Sequence, residues 1–120
     1  MLVRRDDGKK KAISELDVTA SVKDILEDIQ RNLREKAESF LKTHIYETDD
    51  YHELKMILEN KGGLVKINWC GIQECAEAIK DETNGGVIRG TLYDKKEEAK
   101  GECIRCRQEA TQVVYVSKQY

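Results

Sequence analysis

A chain of 120 residues, 39% hydrophobic and 37% charged, has material for one thin core, or for one small domain beside part of another, with much solvated helix surface. It contains no apolar run of the roughly 18 residues that a transmembrane helix needs, which excludes such a span. Lys+Arg 21 against Asp+Glu 23 leaves a net charge of −2, so the chain as a whole lacks the basic signature of a nucleic-acid binder.

Residues 2–13 read as a β-hairpin, with Asp7-Gly8 as a two-residue turn signal between Leu2-Val3-Arg4-Arg5 and the run 9–13. Arg4, Arg5, Lys9, Lys10 and Lys11 cluster here, offset only by Asp6 and Asp7. They suit either a solvated hairpin tip or an edge that contacts phosphates, and on sequence alone both readings stand. A lone hairpin of this length is marginal in water, which hints at a larger sheet and a longer parent protein. A short turn over 14–17 leads to Ser21, which with Asp24 three residues on is the expected helix cap. Val22, Ile25, Leu26, Ile29, Leu33, Ala37, Phe40 and Leu41 then recur at helical spacing, predicting one amphipathic helix over 21–46 with its apolar stripe against a core.

Asp49 or Asp50 caps a second, shorter helix carrying Tyr51, Leu54, Ile57 and Leu58, and Asn60 with Gly62-Gly63 ends it. Leu64 to Trp69 alternates as a half-buried strand, with Val65, Ile67 and Trp69 on the core side, and it runs straight into Cys70. The stretch 71–80 reads as a helix with Ile72, Cys75, Ala76 and Ile79 inward, broken by Asn84-Gly85-Gly86. A strand over 87–93, a charged surface loop over 94–100 and a final strand over 112–118 complete the reading. The fold class is α+β: an N-terminal hairpin and long helix, then a small antiparallel or mixed sheet with flanking helices.

The four cysteines fall in two tight pairs, Cys70-x4-Cys75 and Cys103-x2-Cys106. Two short loops of this kind can deliver four thiolates to one tetrahedral point, the geometry of a structural zinc. Disulfides or free thiols compete with this reading, but nothing at the N-terminus resembles a secretory leader, and a reducing cytoplasmic setting keeps thiols free. A catalytic zinc would call for an open coordination position and a neighbouring acid or base, and no such motif accompanies these cysteines. His44 and His52 are eight apart and match no metal motif, so they read as helix-surface residues. Phosphate-loop, nucleophile-elbow and dinucleotide signatures are absent, and the carboxylates fall on predicted wet faces. The isolated chain is therefore not expected to be an enzyme.

Taken in order, these features resemble the C-terminal region of archaeal- and eukaryotic-type prolyl-tRNA synthetases. The matching stretches are Val3-Arg4-Arg5-Asp6-Asp7-Gly8-Lys9, the helix from Ile25 through Leu33, Leu41-Lys42-Thr43-His44, Cys70-Gly71-x-x-Glu74-Cys75, Ile79-Lys80-Asp81-Glu82-Thr83 and the Cys103-x-x-Cys106 knuckle. The resemblance implies that 1–46 closes an anticodon-binding domain and that 47–120 is a zinc-binding domain. It implies a structural zinc on Cys70, Cys75, Cys103 and Cys106, and a terminal Tyr120 docked toward an upstream class II catalytic domain. That domain, which uses ATP to activate L-proline and charges tRNA-Pro, would lie outside this chain. The implied partners are that domain and, weakly for this portion alone, tRNA-Pro, in the cytoplasm and with no membrane. Two departures stand out: Arg107-Gln108 follows Cys106 where the family commonly has glycine, and 87–100 matches poorly. A stand-alone zinc-ribbon-like nucleic-acid adaptor, with Trp69 or Tyr93 stacking a base, is the alternative; a protein-interaction module built on the long helix ranks third, since no heptad extends beyond that helix.

Overall fold

The computed structural model describes residues 1–119, so the expectation placed on Tyr120 lies outside the described residues. The chain separates into two compact units, Met1–Lys42 and the remainder from Thr43.

In the first unit, β1 (Leu2–Val3) pairs antiparallel with β2 (Lys10–Lys11), Leu2 opposite Lys11 and Val3 opposite Lys10. The turn is wider than Asp7-Gly8 alone suggests. Arg4 N–H still donates to the Lys9 carbonyl at 2.8 Å, and Gly8 N–H donates to the Arg4 carbonyl at 3.0 Å, so the loop is the four residues 5–8. Gly8 takes a positive φ of 72°, and the Asp7 side chain accepts from Lys9 N–H at 3.0 Å, which stabilises this loop over a two-residue turn.

Ser14 caps a 3-10 turn over Glu15–Asp17, and this runs directly into helix α1 (Val18–Thr43). Ser21 is thus inside the helix and not its cap. The far end also differs from the expected 46, because Ile45–Glu47 forms strand β3, paired parallel with the strand that begins at Leu64. Long-range pairing here overrides the helical periodicity. No residue of α1 is buried: Leu26 and Leu33 are 60% and 53% exposed. The apolar stripe therefore does not face a core within the described residues, since only the small hairpin lies against it.

The second unit is a sheet with two helices. Asp50 caps α2 (Tyr51–Asn60) by accepting from His52 and Glu53 N–H groups. Strand β4 (Leu64–Trp69), helix α3 (Gln73–Glu82), β5 (Gly86–Gly90) and β6 (Gln112–Lys118) follow. Sheet order is β3-β4-β6-β5, with β3 parallel to β4 and the other pairs antiparallel, the mixed sheet expected. Val65 lies opposite Val116 and Ile67 opposite Val114. These four pack with Leu54, Ile57 and Leu58 of α2, Ile79 of α3 and Ile104 as one core. Each fully buried aliphatic side chain in such a core contributes about 1.5–3 kcal/mol of transfer free energy. Trp69 packs at the margin of that core, and its indole N–H, shielded from solvent, has no acceptor among the described residues. Ile72, expected inward, is 42% exposed because it is the residue that caps α3 and precedes its first turn. β5 ends at Gly90, short of the expected 93, where the register with β6 breaks between Ile88 and Gly90.

Candidate metal centre

The site is assembled by two loops that the sheet brings together. Cys70 follows the last residue of β4, and Gly71, at φ 83°, turns the chain toward α3, whose first turn carries Cys75. The positive φ favours glycine in that turn, and a Cβ on Gly71 would also crowd Thr111, lying 3.1 Å from its Oγ1. The second loop is strapped to the same strand end, with Ile104 N–H donating to the Asn68 carbonyl at 3.0 Å and Thr111 N–H to the Trp69 carbonyl at 2.9 Å. Inside it, Cys103 N–H donates to Gln108 O at 2.7 Å and Arg107 N–H to Cys103 O at 3.0 Å, closing a tight knuckle. Ile104, only 2% exposed, plugs the knuckle into the core. Sequence reasoning overlooked Ile104, although a lone aliphatic between the two cysteines of a knuckle is a readable anchor.

The four sulfurs of Cys70, Cys75, Cys103 and Cys106 lie within 4.8 Å of one another. A tetrahedral ion with metal–sulfur bonds of about 2.3 Å needs sulfurs about 3.8 Å apart, which this cluster reaches with small side-chain adjustments. None of the four is in a disulfide, and Cys75 and Cys103 are buried. The chemistry of the cluster also fits a cation. Burial raises the Cys70 thiol and pushes Cys75 up to about 12, with the neighbouring sulfurs Cys106 and Cys70 adding to the latter. Burial also opposes ionisation of Cys103, yet the backbone N–H groups of Cys106, Arg105 and Cys70 point at its sulfur and bring it down to about 7. Burial thus opposes charge at Cys70 and Cys75 while backbone N–H groups favour it at Cys103, and a divalent ion would supply the positive charge that lets the sulfurs share one site.

A polar brace ties the knuckle to both helices. Arg105 donates to Glu82 Oε1 through Nε at 3.2 Å and Nη2 at 2.6 Å, and its guanidinium lies 5.6 Å from the centroid of the Tyr51 ring. The Tyr51 hydroxyl donates to Glu82 Oε2 at 2.9 Å. Arg105 first, and Tyr51 second, hold the Glu82 carboxyl below its ordinary range.

The basic residues singled out in the hairpin do not form one equivalent set. Arg4 is engaged by carboxylates: it donates to Asp6 at 3.1 and 2.8 Å, pairs with Asp7 at 3.5 Å, and makes a close bond with Asp28 of α1. Asp6, its side chain 2% exposed, also accepts from Asn32 Nδ2 at 2.6 Å, and Arg4 followed by Asn32 keeps its carboxyl far below the carboxylate range. Lys9 pairs with Asp7 at 3.2 Å. Arg5, Lys10 and Lys11 are exposed and enter no ion pair among the described residues. Both histidines lie outside the cysteine cluster, His52 exposed on α2 and His44 between α1 and β3.

Residues 51–120 match the family model for the C-terminal region of prolyl-tRNA synthetase. The chain belongs to this family. It is 38% identical over all 120 residues to a proline–tRNA ligase of Alkaliphilus oremlandii, covering 25% of that protein, and 37% identical over 117 residues, 98% of the chain, to one of Saccharolobus islandicus, covering 24% of it. It spans about a quarter of the length of the curated relatives it matches. Among solved structures, Giardia lamblia prolyl-tRNA synthetase in complex with prolyl-adenylate superposes with a TM-score of 0.71 at 25% identity, covering 83% of this chain and 21% of that one. All four cysteines fall within the residues that the family model matches. Among the described residues no helix is long and apolar enough to cross a membrane.

Proposed function

We propose that this chain works as the C-terminal architectural part of a prolyl-tRNA synthetase, whose activity is the ATP-dependent activation of L-proline and its transfer to tRNA-Pro. The observation that carries the reading is the four-sulfur cluster seated inside the matched region. In this reading Cys70, Cys75, Cys103 and Cys106 hold a structural Zn²⁺, which when bound neutralises the thiolates and cross-links the β4–α3 turn to the knuckle. Four protein sulfurs leave no coordination position for water, so the ion has a folding role. The chain's own residues then present the sheet and helices as a rigid body: Ile104 fixes the knuckle in the core and Arg105 braces it to Glu82 and Tyr51. Residues 1–46 close the anticodon-binding domain, and 47–120 form the zinc-binding domain. Tyr120 docks toward the upstream catalytic domain. The exposed α1 stripe, with Leu26 and Leu33 in solvent, is consistent with cover supplied by the rest of the parent polypeptide.

Phosphate contacts, where made, fall to Arg5, Lys10 and Lys11, because Arg4 and Lys9 are already paired. A direct test replaces the matched C-terminal quarter of the Alkaliphilus oremlandii ligase with this chain. The chimera is expected to charge tRNA with proline, to lose that ability with Cys103→Ser, and the isolated chain to bind tRNA only weakly and in a salt-sensitive way. Tight, sequence-selective tRNA binding by the isolated chain, with an inactive chimera, would establish the stand-alone adaptor instead.

A further inference from the structure

The segment 91–100 carries a feature that neither the metal centre nor the core uses. At Gly90, φ 138°, the chain leaves β5 where the register with β6 breaks, and the next three residues belong to no strand. Tyr93 is completely exposed and its neighbour Leu92 is 44% exposed. Scattered apolar residues on a surface need no explanation, but two adjacent ones at the tip of a pinned loop do. The root of the loop is fixed at two points. Glu97 accepts from the Tyr115 hydroxyl at 2.8 Å and pairs with Lys66 Nζ at 3.1 Å, on neighbouring strands β6 and β4, while Asn68 Nδ2 donates to the Lys100 carbonyl at 3.0 Å. The bonds to Tyr115 first and Lys66 second keep the Glu97 carboxyl below its usual range, so this anchor stays ionised at neutral pH. A rigid root and a projecting apolar tip limit the entropy lost on docking. Beneath the tip, a hollow of about 300 Å³ lined by Thr91, Gln112 and Val113 among others leaves space for a partner's side chain.

Charge decides what kind of partner fits. Over 91–100 three lysines, Lys95, Lys96 and Lys100, are matched by Asp94, Glu97 and Glu98, so the loop is electrically neutral. Nucleic-acid affinity rests on unneutralised positive charge. An apolar aromatic anchor ringed by balanced charge is instead the pattern of a protein–protein contact centre.

We propose that Leu92 and Tyr93 form a docking anchor that inserts into an apolar pocket on the upstream part of the parent synthetase. This rests on the reading given above, and the remaining three quarters of the relatives' length supplies the partner surface. The test compares hydroxyl-radical footprinting of the isolated chain with that of the ligase chimera. Tyr93 oxidation is expected to fall about tenfold in the chimera, as for a side chain moved from solvent into an interface core. Unchanged Tyr93 oxidation, with Leu26 and Leu33 protected, overturns the anchor but leaves the parent reading standing; protection at none of the three overturns both. Protection of Tyr93 that appears only on adding tRNA, or that grows with the concentration of the isolated chain, overturns the proposal in favour of RNA or a second copy. As a measurement independent of the chimera's folding, the isolated chain and its Tyr93→Ala variant are titrated against the ligase's separate upstream three quarters. The variant is expected to bind about 30-fold more weakly, and equal affinity would overturn the anchor.

Discussion

Arg107 is the residue where the backbone geometry and the side chain disagree most plainly. Its φ is 60°, and the only other described non-glycine residue in that region is Asn84 at 55°. Asparagine tolerates the left-handed region because its short amide can bond nearby backbone, whereas arginine has no such compensation. Holding a residue with a Cβ there costs about 1–2 kcal/mol. Glycine removes that cost but gains freedom in the unfolded chain worth about 0.4–1 kcal/mol. Arg107→Gly is thus expected to stabilise by about 0.5–1 kcal/mol, since the Arg107 side chain is exposed and makes no ion pair among the described residues. For the 78-residue unit from Thr43 onward, this corresponds to a rise in Tm of about 2–8 °C. Calorimetry on the metal-loaded chain reads it directly, and Arg107→Ala separates backbone from charge because alanine keeps the Cβ and should bring no such gain. An Arg107→Gly variant with an unchanged or lower Tm, or an alanine variant that gains equally, would refute the reasoning.

Ile104→Ala should cost about 2–5 kcal/mol, because a side chain 2% exposed is removed from the core and from the knuckle it anchors; urea unfolding checks this, and a loss under 1 kcal/mol contradicts the anchor role. The hairpin should respond to acid through Asp6. Its folded pKa lies below the unfolded value of about 3.9, so its stabilisation is present above that pH and is lost as pH falls through the lowered folded value. Amide exchange at the β1–β2 pairs should therefore remain protected at pH 4 and open only in stronger acid, and Asp6→Asn should lack that transition. Stripping metal with a chelator should abolish the cooperative melting of the unit from Thr43 onward, since structural zinc can supply on the order of ten kcal/mol of folding free energy; an unchanged transition would show that the core folds without it.

What could be read from the residues follows the range of the interactions involved. The paired cysteines, a cap at Asp49 or Asp50, the Gly62-Gly63 stop and the alternation from Leu64 to Trp69 are local signals, and they point to the sulfur cluster and the central strand; the structure puts the cap at Asp50. Helix α1 was recognisable from its period, but its ends were not. The start at Val18 is continuous with the 3-10 turn that Ser14 caps, which the sequence reads as a separate connector ahead of a cap at Ser21, and the end at Thr43 is imposed by β3 pairing with β4. The same period marked an apolar face without saying what covers it, and Leu26 and Leu33 are exposed. In the hairpin, Arg4 reads in sequence as one of five clustered cations offset by Asp6 and Asp7, whereas its tie to Asp28 of α1 exists only once the loop and helix are folded. The family resemblance marked Arg107-Gln108 as a departure, but the cost of the Arg107 conformation becomes visible only in φ.

The central claim is that four cysteines share one ion. Elemental analysis of the reduced, folded chain, together with thiol titration under native conditions, tests it most directly. One zinc per chain with all four thiols protected is the expected result, and folded protein with zinc near zero and freely reactive thiols would contradict it.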